Sequence, residues 1–154
     1  MKFPENKNKF DNSLVFVFGY RDRTANLLNA YSLPGLMRFD SFEAGVEPGF
    51  VMDIWCGAQA RIHRVQSTND GWAGLIIGRL FDTVDGKHDT AVKKLLSAVQ
   101  VDRWEGLSSL GGLFVAVFFN LQKGTLHIIN DALGVRPFFL YKANDIILGS
   151  SHAF

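Results

Sequence analysis

Seven consecutive apolar residues, Leu113 to Phe119, stand between Gly111-Gly112 and Asn120. A strand made of them would bury both faces, which suits a central strand sandwiched between layers better than a half-wet one. With 154 residues, 47% of them hydrophobic and 14 of them Phe, the chain has the material for two packed layers in one domain.

Turn chemistry is dense after that strand. Lys123-Gly124 closes a hairpin onto Thr125 to Ile129. In Asp131-Ala132-Leu133-Gly134-Val135-Arg136-Pro137, Asp131 can accept from nearby backbone N–H groups, Gly134 is free to take positive φ, and Pro137 has its φ locked. A rigid turn is expected, with Arg136 paired to Asp131. Phe138 to Tyr141 then resumes the sheet, Asn144-Asp145 turns it, and Ile146 to Gly149 returns.

Upstream, Met1 to Asn12 reads as a flexible polar arm, and residues 13–154 as a single domain. Ser13 to Tyr20 is a short apolar strand. Arg21 to Ser32 suggests a helix capped by Thr24 and stopped by Pro34-Gly35, and Leu36 to Pro48 a loop held down by Phe39 and Phe42. Gly49 to Trp55 and Ala60 to Gln66 both alternate, which predicts a hairpin through Cys56-Gly57-Ala58. After the turn Asn69-Asp70-Gly71, Trp72 to Phe81 is a strand in which Gly74 and Gly78 form a bulge or admit another backbone. A helix begins at Asp89, with Val92, Leu95, Leu96 and Val99 on one side and Lys93, Lys94 and Gln100 on the other.

The 16 basic and 15 acidic residues leave a net charge of +1, so neither nucleic acid nor an anionic membrane is an expected partner. No apolar run approaches a membrane span, no signal-peptide pattern opens the chain, and the single Cys56 cannot form an internal disulfide; a cytoplasmic address is expected. His63, His88, His127 and His152 are scattered with no pair at ligand spacing, so no metal is expected. Ser150-Ser151-His152 is no catalytic arrangement, because adjacent strand residues point to opposite faces.

A strand opened by Gly-Gly-x-Phe, a hairpin, Asp131-x-x-Gly134-x-Arg136-Pro137-Phe138-Phe139 and a last strand ending Ser-Ser-x-Ala-Phe resembles the C-terminal half of a class II glutamine amidotransferase domain. Such N-terminal-nucleophile (Ntn) hydrolase domains stand at the front of asparagine synthetases. Strand and helix order alone indicate α+β. The resemblance implies a four-layer αββα sandwich of two mainly antiparallel sheets.

The resemblance also implies a chemistry that this chain lacks. The family's nucleophile is a cysteine at residue one, with the α-amino group as base and an Asn side chain plus a backbone N–H holding the oxyanion. This chain begins Met1-Lys2-Phe3, and Cys56 is expected to be an inert thiol in a turn. Where the family carries Asn-Gly-Glu, this chain has Ile77-Gly78-Arg79. An apolar side chain cannot donate to an oxyanion, a loss of roughly 3 kcal/mol. Asp89 matches the family's glutamine-binding Asp, although a helix N-cap explains it equally well, and the pocket arginine matches either Arg61 or Arg64.

The vestigial pocket is therefore Ile77, Gly78, Arg79, Asp89, Arg61 and Arg64, with no catalytic residue. In this the chain is similar to the silent front domains of β-lactam synthetases and lasso-peptide cyclases. There an ATP-dependent domain adenylates a carboxylate and an amine on the substrate attacks it. The resemblance implies ATP and Mg only on a synthetase domain following this one. It also implies that domain or subunit, a peptide substrate and a second copy of the chain as partners. The alternative is a stand-alone binding module whose vestigial pocket holds an amino acid or peptide.

Overall fold

A computed structural model describes residues 14–20, 24, 36–43, 49–58, 60–66 and 70–151. The expected arm and the expected helix over 21–32 lie outside them, apart from Thr24, which is helical and buried. The chain forms two compact units, Met1–Arg61 with Phe138–Phe154, and Ile62–Pro137.

The first unit is a five-stranded antiparallel sheet. Its strands are β1 (Leu14–Tyr20), β2 (Leu36–Glu43), β3 (Phe50–Gly57), β8 (Phe139–Ala143) and β9 (Ile146–Ser150), in the order β2-β3-β1-β9-β8. The most apolar strand takes the centre. Leu14, Val15, Phe16, Val17 and Phe18 are all at most 3% exposed, as a strand without polar positions requires. Asn144 and Asp145 both have positive φ (46° and 66°) in the two-residue turn from β8 to β9, a conformation these short polar residues tolerate.

β2 is a strand where a loop was expected. Its pairing with β3 shifts register between Arg38 and Asp40, so apolar positions before and after the irregularity are out of phase and no clean alternation survives in the sequence. Arg38 on β2 also donates to the buried Asp53 carboxylate of β3.

The second unit holds β4 (Ile62–Gln66), β5 (Trp72–Asp82), β6 (Leu110–Asn120) and β7 (Thr125–Asn130), an antiparallel sheet in chain order. The helix α1 (His88–Val101) packs on one face. Trp72, Ile76 and Leu80 of β5, Phe114, Ala116 and Phe118 of β6, and Ala91, Leu95 and Val99 of α1 share one core, with Val65 of β4. Leu95 is fully buried there, and truncating such a residue to Ala costs about 2–5 kcal/mol. Phe114 to Asn120 is buried on both faces, as its composition demands; Leu113, at the edge of the run, is 48% exposed.

Three connections depart from expectation. Residues 56–58 close no hairpin: both edges of β3 are taken, by β2 and β1, while β4 pairs with β5, so the chain passes from one sheet to the other. The turn Asp131–Pro137 makes a second passage, and β8 extends the five-stranded sheet instead of resuming that of β7. At the start of α1 the N-cap is Lys87, without a side-chain cap, and Asp89 lies in the first turn. Asp85 organises this entry, accepting from the Lys87 N–H (2.9 Å) and the Thr90 hydroxyl (2.7 Å).

Two antiparallel sheets are as expected. Helix is scarcer than an α+β chain implies: among the described residues, α1, a 3-10 turn at Leu107–Ser109 and the helical Thr24 accompany nine strands.

Candidate functional site

β5 and β6 run in unbroken register from Trp72 opposite Asn120 to Asp82 opposite Leu110, so neither Gly74 nor Gly78 is a bulge. Close approach is the reason for glycine here. Gly78 has φ 99°, and a Cβ on it would meet the Leu113 carbonyl oxygen; Gly112 has φ 122°, and a Cβ on it would meet the Arg79 carbonyl oxygen. Each glycine leaves room for a backbone carbonyl of the partner strand. The Arg136 Nε also lies 2.9 Å from where a Gly78 Cβ would be, which brings the turn motif onto Gly78, one of the expected pocket positions.

The turn is built around Asp131, which is 6% exposed. Its carboxylate accepts the backbone N–H groups of Leu133 and Val135 (both 3.2 Å) and Arg136 (3.5 Å). Gly134 has φ 59° and donates its N–H to the Asp131 carbonyl (2.9 Å), while the Arg136 carbonyl accepts from the Asn130 side-chain amide (3.2 Å). Burial opposes the charge of Asp131, but the backbone donors outweigh it and hold the carboxyl below its ordinary pKa. The expected ion pair gives way to this arrangement: Arg136 serves the carboxylate through its backbone N–H and sends its guanidinium toward Gly78.

The six expected pocket positions do not converge on one face. In an antiparallel pair, directly opposed residues share a face. Ile76, Leu80 and their partner positions face α1, so Ile77 and Arg79 project to the other side, and Arg64, opposite Leu75, goes with them. Asp89 belongs to α1 and is exposed. Ile77 is 2% exposed. Arg79 is exposed, its guanidinium 5.6 Å from the Phe81 ring centre, and Arg61 is exposed just before β4.

Cys56 lies in β3, not in a turn, opposite Leu14 of β1 and Met37 of β2. It is buried, and burial pushes its thiol above the ordinary pKa, the reverse of what activates a nucleophile.

Two groupings had no sequence signal. The first is His63 of β4 with His88, the first residue of α1, whose ring centres are 4.3 Å apart. His88 Nδ1–H donates to the Leu80 carbonyl (2.9 Å), so Nε2 is the nitrogen that carries the lone pair whenever the ring is neutral. Burial, and then the charge of His88, lower the His63 pKa. Twenty-five positions separate the two histidines in the chain, so no local spacing rule could pair them. His127, by contrast, has its ring near the indoles of Trp72 (5.4 Å) and Trp104 (5.6 Å).

The second grouping is Asp82, Lys94 and Ser109. Lys94 Nζ donates to the Ser109 hydroxyl (2.8 Å) and pairs with Asp82; the hydroxyl donates to Asp82 Oδ2 (2.9 Å), and the Val84 N–H donates to Oδ1 (2.9 Å). Lys94 therefore turns inward from the side of the helix expected to face solvent. The base on the Ser109 hydroxyl is the Asp82 carboxylate, and with its pKa held down to about 2 it is too weak to take the serine proton. The cluster anchors α1 to the end of β5.

Among the described residues no group of three or more His, Cys, Asp or Glu side chains could hold a metal ion, and no helix is long and apolar enough to cross a membrane. Scans against protein-family models, curated proteins and solved structures return no match to this chain.

Proposed function

We propose that the chain is a catalytically silent, glutaminase-like domain of an asparagine-synthetase-like enzyme that forms amide or isopeptide bonds with ATP. In this reading its two antiparallel sheets are the inner layers of an Ntn-hydrolase-like αββα sandwich, and it serves a cytoplasmic ATP-dependent synthetase domain or subunit as scaffold. Support comes from the motif Asp131–Pro137, whose Asp, Gly and backbone donors are used as a fold-defining turn uses them.

The observation that carries the reading is Ile77. Its side chain is aliphatic and buried, and by the resemblance it stands where glutamine hydrolysis would need a donor for the oxyanion. The buried, high-pKa thiol of Cys56 supports it further, because a thiol in that state does not attack an amide. The binding-module reading draws less support, since Asp89 and the pair Ile77 and Arg79 belong to opposite faces of one sheet.

The test is direct. Purified chain incubated with glutamine should release glutamate no faster than buffer does, and calorimetry with glutamine, ATP and candidate peptides should show no heat. Glutamate release above background would overturn the reading, and saturable heat with glutamine or a peptide would favour the binding module.

A further inference from the structure

The His63 and His88 pair has features that packing alone does not require. Its Leu80 carbonyl contact fixes the His88 tautomer and ring orientation, the role that outer-shell partners play for metal-ligating imidazoles. His63 is exposed and His88 half-buried, so an ion can arrive from solvent and keep water as its remaining ligands. Distance fits as well. Two imidazoles bound cis on one ion, with metal–nitrogen bonds of about 2.1 Å, place their ring centres roughly 4.5–5 Å apart. The observed 4.3 Å is within a small side-chain adjustment of that range.

We propose that His63 and His88 form a two-imidazole site for a divalent first-row transition metal ion of the nitrogen-preferring class, Ni2+, Cu2+ or Zn2+, at the junction of β4 and the first turn of α1. Two nitrogens from elements fixed by the same sheet and core act as a chelate: once one is bound, the second binds intramolecularly. Hard cations such as Mg2+ and Ca2+ are excluded by the all-nitrogen donor set. The site is independent of the scaffold reading, because neither residue belongs to the vestigial pocket.

The experiment is calorimetric titration of the full 154-residue chain, without an affinity tag, using Zn2+ and separately Cu2+ at pH 7.5. One saturable site per chain is expected, tighter for Cu2+ than for Zn2+. His63→Gln and His88→Gln should each weaken it on the order of 10²-fold, the chelate contribution; His127→Gln should leave it unchanged. A second measurement needs no variant. Substoichiometric Cu2+ should broaden the amide resonances flanking His63 and His88 before any others. Absence of saturable binding, wild-type affinity in both the His63 and His88 variants, or broadening centred elsewhere would each overturn the proposal.

Discussion

Lys94 and Asp82 form an ion pair that ties the middle of α1 to the last residue of β5. The partners differ in exposure: the Asp82 side chain is 1% exposed and that of Lys94 39%. The pair is thus a buried carboxylate served by a half-exposed ammonium. The Lys94 hydrogen bond, with further donors at Val84 and Ser109, holds the Asp82 carboxyl down to about 2 from 3.8 against the opposing effect of burial.

That shift has a sign. The folded state binds the Asp82 proton less readily than the unfolded chain, so the stabilisation is complete above about pH 4 and fades as pH falls toward about 2. Asp82→Asn should therefore lower the melting temperature at pH 7 by roughly 5–10 °C. Thermal melts of both proteins between pH 7 and pH 2 should converge at the acid end. A gap that is independent of pH would remove the carboxylate from the explanation.

Gly112 and Gly106 offer a matched contrast in cost. Both have positive φ (122° and 89°), but a Cβ on Gly112 would strike the Arg79 carbonyl, whereas one on Gly106 would meet nothing within 4 Å. Gly106→Ala should cost about 1–2 kcal/mol, the backbone penalty alone. Gly112→Ala should cost more than about 3 kcal/mol, because β5 and β6 must separate. Urea denaturation of the two variants measures the difference.

On the proposed reading, an amide placed at Ile77 should not create glutamine hydrolysis. Ile77→Asn would forfeit about 1.5–3 kcal/mol of apolar burial and leave an unpaired amide worth about 1–3 kcal/mol more. A destabilised protein with no glutamine hydrolysis is the expected outcome, measured by chemical denaturation and glutamate release. Appearance of activity in this variant would show that a nucleophile stands ready nearby.

The thiol of Cys56 should be slow toward alkylating reagents at pH 8 in the native state, by on the order of 10²-fold relative to urea-unfolded chain, since it is buried and its pKa raised. Mass spectrometry of iodoacetamide-treated protein checks this. Native and unfolded rates that match would mean the β3 edge opens freely.

What could be read from the sequence was local. The periodicity of Leu95 and Val99 marks α1, Lys123-Gly124 marks its hairpin, and the residues of Asp131–Pro137 carry their own turn chemistry, because each signal spans fewer than a dozen positions. Pairing partners are another matter. The approach of β3 and β4 in sequence suggests a hairpin, and only the competition of β1 and β2 for both edges of β3 defeats it. The same holds for the candidate sites: His63 meets His88, and Lys94 meets Asp82, through the register and the helix packing, neither of which is written in spacing. Where the pocket positions were concerned, the alternation of β5 assigned Ile77 and Asp89 to different faces, a distinction no motif comparison records.

The adjacency of β1 and β9 also bears on the order of assembly. The Leu14 N–H donates to Ser151 Oγ (2.9 Å), and the Ser151 N–H to the Leu14 carbonyl (3.0 Å), across 137 positions of chain. During synthesis, β1 can zip to β3 early, but its other edge stays unmatched while all of Ile62–Pro137 emerges from the ribosome. The uninterrupted unit can finish first, and the split one is completed only when β8 and β9 have followed.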